Sequence, residues 1–205
     1  MRRIIRVILG FAAVALTVAP AQAHHLMGGK TPATFGEGIL SGLGHPIIGL
    51  DHFAAVVAVG CLAAAHRAGA ALAVVFVLAM MAGVGLHVHG TTVPGAEILV
   101  ALTVVALGAL MLRVEVMPAA VALCLFAAVG LIHGYALGES IYGAEATPLY
   151  AYLFGLAFVQ SVIALVAMNI ARASMRKDIV KLRLLGAGIA GVGLAVFVQQ
   201  LLPAP

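Results

Sequence analysis

Six apolar runs, each close to twenty residues long and almost free of charge, dominate this chain: residues 46–65, 69–88, 94–112, 117–138, 148–171 and 184–202. About 20 consecutive apolar residues in a helix cross the hydrocarbon core of a bilayer. Backbone hydrogen bonds can be satisfied there only in helices or closed barrels. These runs are continuous, not alternating, which argues against barrel strands. Composition agrees, with 64% hydrophobic and 9% charged residues, where soluble domains are nearer ~45–50% and ~25%. The pattern predicts an all-α membrane protein, a bundle of six transmembrane helices. Its connections are short, so residues 24–205 read as a single domain in a lipid bilayer. The net charge of +4 is spread along the chain and forms no patch for nucleic acid.

Arg2, Arg3 and Arg6 precede a short apolar stretch, residues 8–18, which ends at Ala21-Gln22-Ala23. A basic start, a short apolar core and an A-x-A site describe a cleavable signal peptide over residues 1–23. His24 would then be the mature N-terminus. Counting from outside, the cytoplasmic connections hold Arg67, Arg113, Arg172, Arg176, Lys177, Lys181 and Arg183, against Lys30 alone on the other side. This positive-inside bias agrees independently with the signal peptide. The expected location is a bacterial inner membrane, multi-pass, with both mature termini periplasmic. Cys61 and Cys124 fall inside apolar runs and form no CxxC pair, so they read as small buried hydrophobes. Gly134 with Gly138, and Ala151 with Gly155, give small-xxx-small spacings that let helices approach closely.

Ionisable groups at membrane depth cost roughly 2.5–3.5 kcal/mol each on insertion scales and therefore mark function. Here they gather toward one side. His45, Asp51 and His52 lie at the outer end of the first run, His87 and His89 at that of the second, His133 and Glu139 at that of the fourth. Imidazole and carboxylate together suit a borderline divalent cation such as nickel, cobalt, copper or zinc. With Pro46 at a first helical position, His45 becomes the helix cap. His45 and His52, seven residues apart, then share a face two turns apart. Asp51 either ligates directly or orients a histidine. Gly134 and Gly138 could let the helix unwind, so that Glu139 folds back to the pore. No Walker motif and no HExxH motif is present, so neither ATP-driven pumping nor an enzyme is expected. The membrane potential alone favours inward movement of a divalent ion by roughly 4.6 kcal/mol at 100 mV. The alternative is an electron-transfer protein, with b-type haem held between His52 and His133.

The pattern His45-x5-Asp51-His52, followed by His133-Gly134-x-Ala136-x-Gly138-Glu139, resembles the HupE/UreJ family of nickel and cobalt permeases. Length, signal peptide and six mature helices resemble that family too, over the whole chain. This chain carries Leu137 where the family typically has a second histidine, and Ile132 where it has an aromatic. The resemblance implies uptake of Ni2+ or Co2+ for hydrogenase or urease maturation, with no tightly bound cofactor. It assigns metal contacts to His45, Asp51, His52, His133 and Glu139; His87 or His89 could replace the missing imidazole.

Overall fold

A computed structural model describes residues 30–113 and 116–202; the signal peptide, residues 1–23, lies outside them. Among the described residues the chain is all helical. Its helices are α1 (Phe35–Ile48), α2 (Leu50–Ala63), α3 (Gly69–Val88), α4 (Ala96–Leu112), α5 (Ala119–Leu137), α6 (Ala146–Lys177) and α7 (Ile179–Leu201). A 3-10 turn, Gly138–Ile141, extends α5. Helices α3, α5 with its turn, α6 and α7 are each long and apolar enough to cross a membrane. Helices α1 and α2 pass that test only as a pair, bent by 78°. Helix α4 is apolar but has 17 residues.

The first span differs from the expected one. The Gly-rich lead-in is itself a helix, because Thr34 and Glu37 build a capping box ahead of it. The Thr34 hydroxyl accepts from Glu37 N (3.2 Å), and the Glu37 carboxylate accepts from Thr34 N (3.1 Å) and Ala33 N (2.7 Å). Two orphan donors at the helix start are thereby satisfied. Pro46 consequently stands inside α1, in its last turn, and His45 is not the cap. Proline has no N–H to return to the preceding turn, and α1 stops two residues later. Gly49 follows in extended conformation (ψ 98°) and α2 starts at once on a new axis. The break is closed by Gly49 N to the His45 carbonyl (2.9 Å) and Phe53 N to the Gly49 carbonyl (2.8 Å).

Helix α6 is the unbroken partner of this broken pair. Gly38 and Gly42 of α1 lie against Pro148 and Tyr152, and Gly60 of α2 lies against Ala164, so both segments run along α6 in its own direction. With 32 residues, α6 extends about 48 Å at 1.5 Å per residue, enough to flank both halves and the break. The other tight pairs are α3 with α5 and α4 with α7. The core among them holds Phe76, Phe126, Leu107, Val59 and Tyr152. Large apolar side chains including Leu78, Phe154, Phe158, Ile170 and Leu194 point outward, as lipid-facing positions require. Cys61 is buried as expected, but Cys124 is exposed on the outer surface.

The α2–α3, α4–α5 and α6–α7 connections meet at one end of the bundle. There Cys61, His66, Arg113, Met117 and Met175 line a cavity of about 290 Å³. Arg172 holds this end together by donating to the carbonyls of Ala64 (3.5 Å) and His66 (3.4 Å). At the opposite end the Tyr135 hydroxyl ties α5 to the α3–α4 connection, donating to Thr91 O (2.9 Å) and accepting from Val93 N (2.8 Å).

Candidate metal centre

Because the break falls between His45 and Asp51, these residues sit inside the protein and not at a helix mouth. His45 is 5%, Asp51 2%, His52 4% and His133 0% exposed. His45 and His52 are carried by different helices across the bend, so they do not share a helical face; their ring centroids are 6.2 Å apart. The His52 ring meets that of His133 from α5 edge-on, with centroids 5.0 Å apart, and the two Nδ1 atoms stand at 2.9 Å. Asp51 turns a carboxylate oxygen onto the backbone N–H of His52 (2.8 Å), placing a negative charge in the first turn of α2, where the helix dipole favours it.

The direction of this hydrogen-bond chain follows from the donor inventory. Thr103 of α4 has one hydroxyl proton, and its 2.7 Å bond to the Val100 carbonyl uses it. The 2.9 Å contact between Thr103 Oγ1 and His133 Nε2 is then donated by the imidazole. His133 carries its proton on Nε2 and presents a lone pair at Nδ1. For neutral rings, His52 Nδ1–H donates to that lone pair. A histidine whose far N–H is held by a fixed acceptor has the arrangement usual for a metal ligand and its outer partner.

The spacing of the two Nδ1 atoms can be set against that of ligands on one ion. Bonds of ~2.1 Å from a metal to imidazole put ligands at right angles about 3 Å apart and opposite ligands about 4 Å apart. The observed 2.9 Å is a hydrogen-bond distance, and it is close to the separation that adjacent ligands on one ion would need. Among the described residues, no three His, Cys, Asp or Glu side chains already converge as a metal cage. For an ion to be held by both Nδ1 atoms, the proton on His52 Nδ1 would have to leave that atom and further ligands would have to move in.

The remaining expected residues are distributed differently. Glu139 is exposed in the 3-10 turn; α5 tightens after Leu137 and does not unwind at Gly134. The His87 ring packs on Tyr135 (4.7 Å) and Tyr142 (5.7 Å), with Gly138 behind it. His89 is exposed at the C-cap of α3. Leu137 is fully buried in the apolar core, and only its carbonyl is used, accepting from Tyr152 (2.8 Å) and Ser140 (3.0 Å). Two groups escaped the sequence reading. Thr103 gave no signal, since a lone threonine in an apolar helix bonds its own backbone as often as anything else. Glu97, in the first turn of α4, lies within electrostatic reach of Asp51 and Glu139; a carboxylate inside an apolar run was the available clue.

No solved structure matches this chain. The family model described as HupE / UreJ protein matches residues 12–196. Protein HupE of Rhizobium leguminosarum bv. viciae is 33% identical over 193 residues, covering 91% of this chain and 94% of that protein. The match takes in the broken pair, the histidine cluster and all of α3 to α6, and on that ground the chain belongs to the HupE/UreJ family.

Proposed function

We propose that this protein is a permease for a divalent transition-metal ion, Ni2+ or Co2+, moving it inward across a bacterial inner membrane toward hydrogenase or urease maturation. The observation that carries this reading is the pair of buried Nδ1 atoms at 2.9 Å beside a helix break. Discontinuous helices with polar groups at the break are a recurring way for transporters to build an ion site within the membrane. In this reading α1 and α2 form one broken span and α4 another, giving six. The basic connections face the cytoplasm, and both mature ends are periplasmic after loss of residues 1–23.

His52 and His133 take the ion through Nδ1, with His52 passing from its Nδ1–H to its Nε2–H tautomer: one proton is lost to water from Nδ1 as one is taken up at Nε2, so the ring stays neutral. His45 adds an imidazole across the bend. Asp51, Glu97 and Glu139 place carboxyl groups between the periplasm and the pair. Thr103 keeps the His133 lone pair aimed. A site assembled only when the ion arrives binds moderately, which conduction requires, and the membrane potential drives release inward.

The test is accumulation of nickel at low external concentration by cells with and without the protein. Excess accumulation that cobalt suppresses more strongly than zinc or copper is expected; equal accumulation refutes the permease. Thr103→Val, which keeps the shape and removes the acceptor for His133 Nε2–H, is expected to lower uptake about tenfold, the effect typical of an outer partner of a metal ligand. Thr103→Ser should restore it. Uptake by Thr103→Val equal to wild type would show that the hydroxyl does not orient His133.

A further inference from the structure

Gln160, in the middle of α6, is a polar residue that the metal pair does not use, and it is completely buried. Its Nε2 donates to the thioether sulfur of Met80 on α3, while its Oε1 has no hydrogen-bond partner. A buried amide oxygen left unsatisfied costs about 1–3 kcal/mol, and polar groups at membrane depth mark ion and substrate pathways.

The position of this contact is defined by its neighbours. Gly42 of α1 packs on Tyr152 and Leu156, and Gly60 of α2 packs on Ala164. Gln160 therefore lies on the stretch of α6 that flanks the break at Gly49. Met80 is equally constrained from the other side. Its backbone lies against Gly134, the residue after His133, and is 1% exposed. The Gln160–Met80 contact thus joins α6 to α3 at the level of Gly134, the residue after His133 on α5. A thioether sulfur and an amide oxygen are both neutral donors. Thioether selects softer transition ions, and carbonyl oxygen completes a coordination shell without adding charge.

We propose that Met80 Sδ and Gln160 Oε1 form a second station for the transported transition-metal cation, which receives it from the His52–His133 pair. This rests on the permease reading above. The amide turns its oxygen to the ion as the ion leaves imidazole, and the sulfur, released from the Nε2 hydrogen bond, becomes a ligand. Neutral donors hold a cation less firmly than a site backed by Asp51, so the step leads away from the tight end and not into a trap.

The experiment compares wild type, Met80→Leu, Gln160→Leu and His52→Ala, each purified for Ni2+ binding and reconstituted in proteoliposomes for Ni2+ uptake. Met80→Leu conserves volume, and such swaps are tolerated in packed cores; thermal melting checks that both variants fold. Both are expected to bind Ni2+ as wild type does while uptake falls about tenfold, the loss typical when a metal's supporting group is removed. X-ray absorption of Ni2+ loaded onto His52→Ala is expected to show sulfur ligation that is lost when Met80→Leu is added. Wild-type uptake by Met80→Leu and Gln160→Leu overturns the second station while leaving the permease intact. Loss of binding in parallel with uptake also overturns it, because the residues would then belong to the histidine site. Absence of Ni2+ uptake by the wild type overturns the permease reading itself.

Discussion

His52→Ala is expected to lower nickel uptake by roughly 100-fold, at least the upper end of the loss that removing an outer partner of a metal ligand causes. The reasoning starts from the hydrogen-bond chain. His52 Nδ1 and His133 Nδ1 are 2.9 Å apart, and removing either ring leaves one imidazole where an ion needs two at right angles. His133→Ala is expected to fall as far, but it also strips partners from Thr103 and from His52. The deleted ring also leaves a cavity at a fully buried position, which costs stability of its own, so its loss mixes chemistry with stability. His52→Ala is the cleaner variant, because the ring it deletes leaves His133 still held by Thr103 (2.9 Å). Expression in the membrane and the melting temperature of the purified protein separate the two effects. His89→Ala serves as the control, since His89 is exposed at the end of α3 and its removal should leave uptake unchanged. A His52→Ala protein that folds and accumulates nickel at the wild-type rate removes the imidazole pair from the mechanism.

The fold was legible where hydrophobicity alone decides it. Gly69–Val88 was read to the residue, because a long apolar run between polar turns has one solution in a bilayer. The first span was misjudged because hydropathy counts apolar residues and does not see caps. Phe35–Ile48 contains four glycines, a glutamate, a serine and a histidine, yet Thr34 and Glu37 start a helix there, and α6 provides an unbroken surface to pack it on. Once that helix exists, Pro46 ends it and does not begin one. The site was legible as a set of residues and not as an arrangement. The seven-residue separation of His45 and His52 looked like two turns of one helix; the 78° bend instead turns the two histidines onto separate walls. The 81-residue separation of His52 from His133 could be bridged only by a depth argument, which brought the right helices together. Thr103 and Gln160 were invisible because a single polar side chain has no periodicity to betray it.

Replacing Gly134 by alanine should damage the protein more than any other single methyl group would. A Cβ there meets Met80 at the carbonyl carbon (2.6 Å) and Cα (2.7 Å), and neither can rotate away because both are backbone. The helices must separate, and inserting even small groups into a packed core costs about 1–3 kcal/mol when only side chains give way. Gly83 is the reciprocal contact, with Tyr135 N at 2.7 Å from its would-be Cβ and Gly134 C at 3.0 Å. Gly83→Ala should therefore act in the same way and through the same displacement. If one separation of α3 from α5 relieves both clashes, the double variant loses less stability than the sum of the singles, as contacting sites that share a backbone shift do. Thermal melting of the four proteins measures this directly, and additive losses would mean that the two glycines report separate contacts. Uptake should fall in every variant along with stability, because the same movement carries His133 away from His52 and Met80 away from Gln160. In the proposed permease, the packing of α3 on α5 therefore supports the position of His133, whose Nδ1 stands 2.9 Å from that of His52.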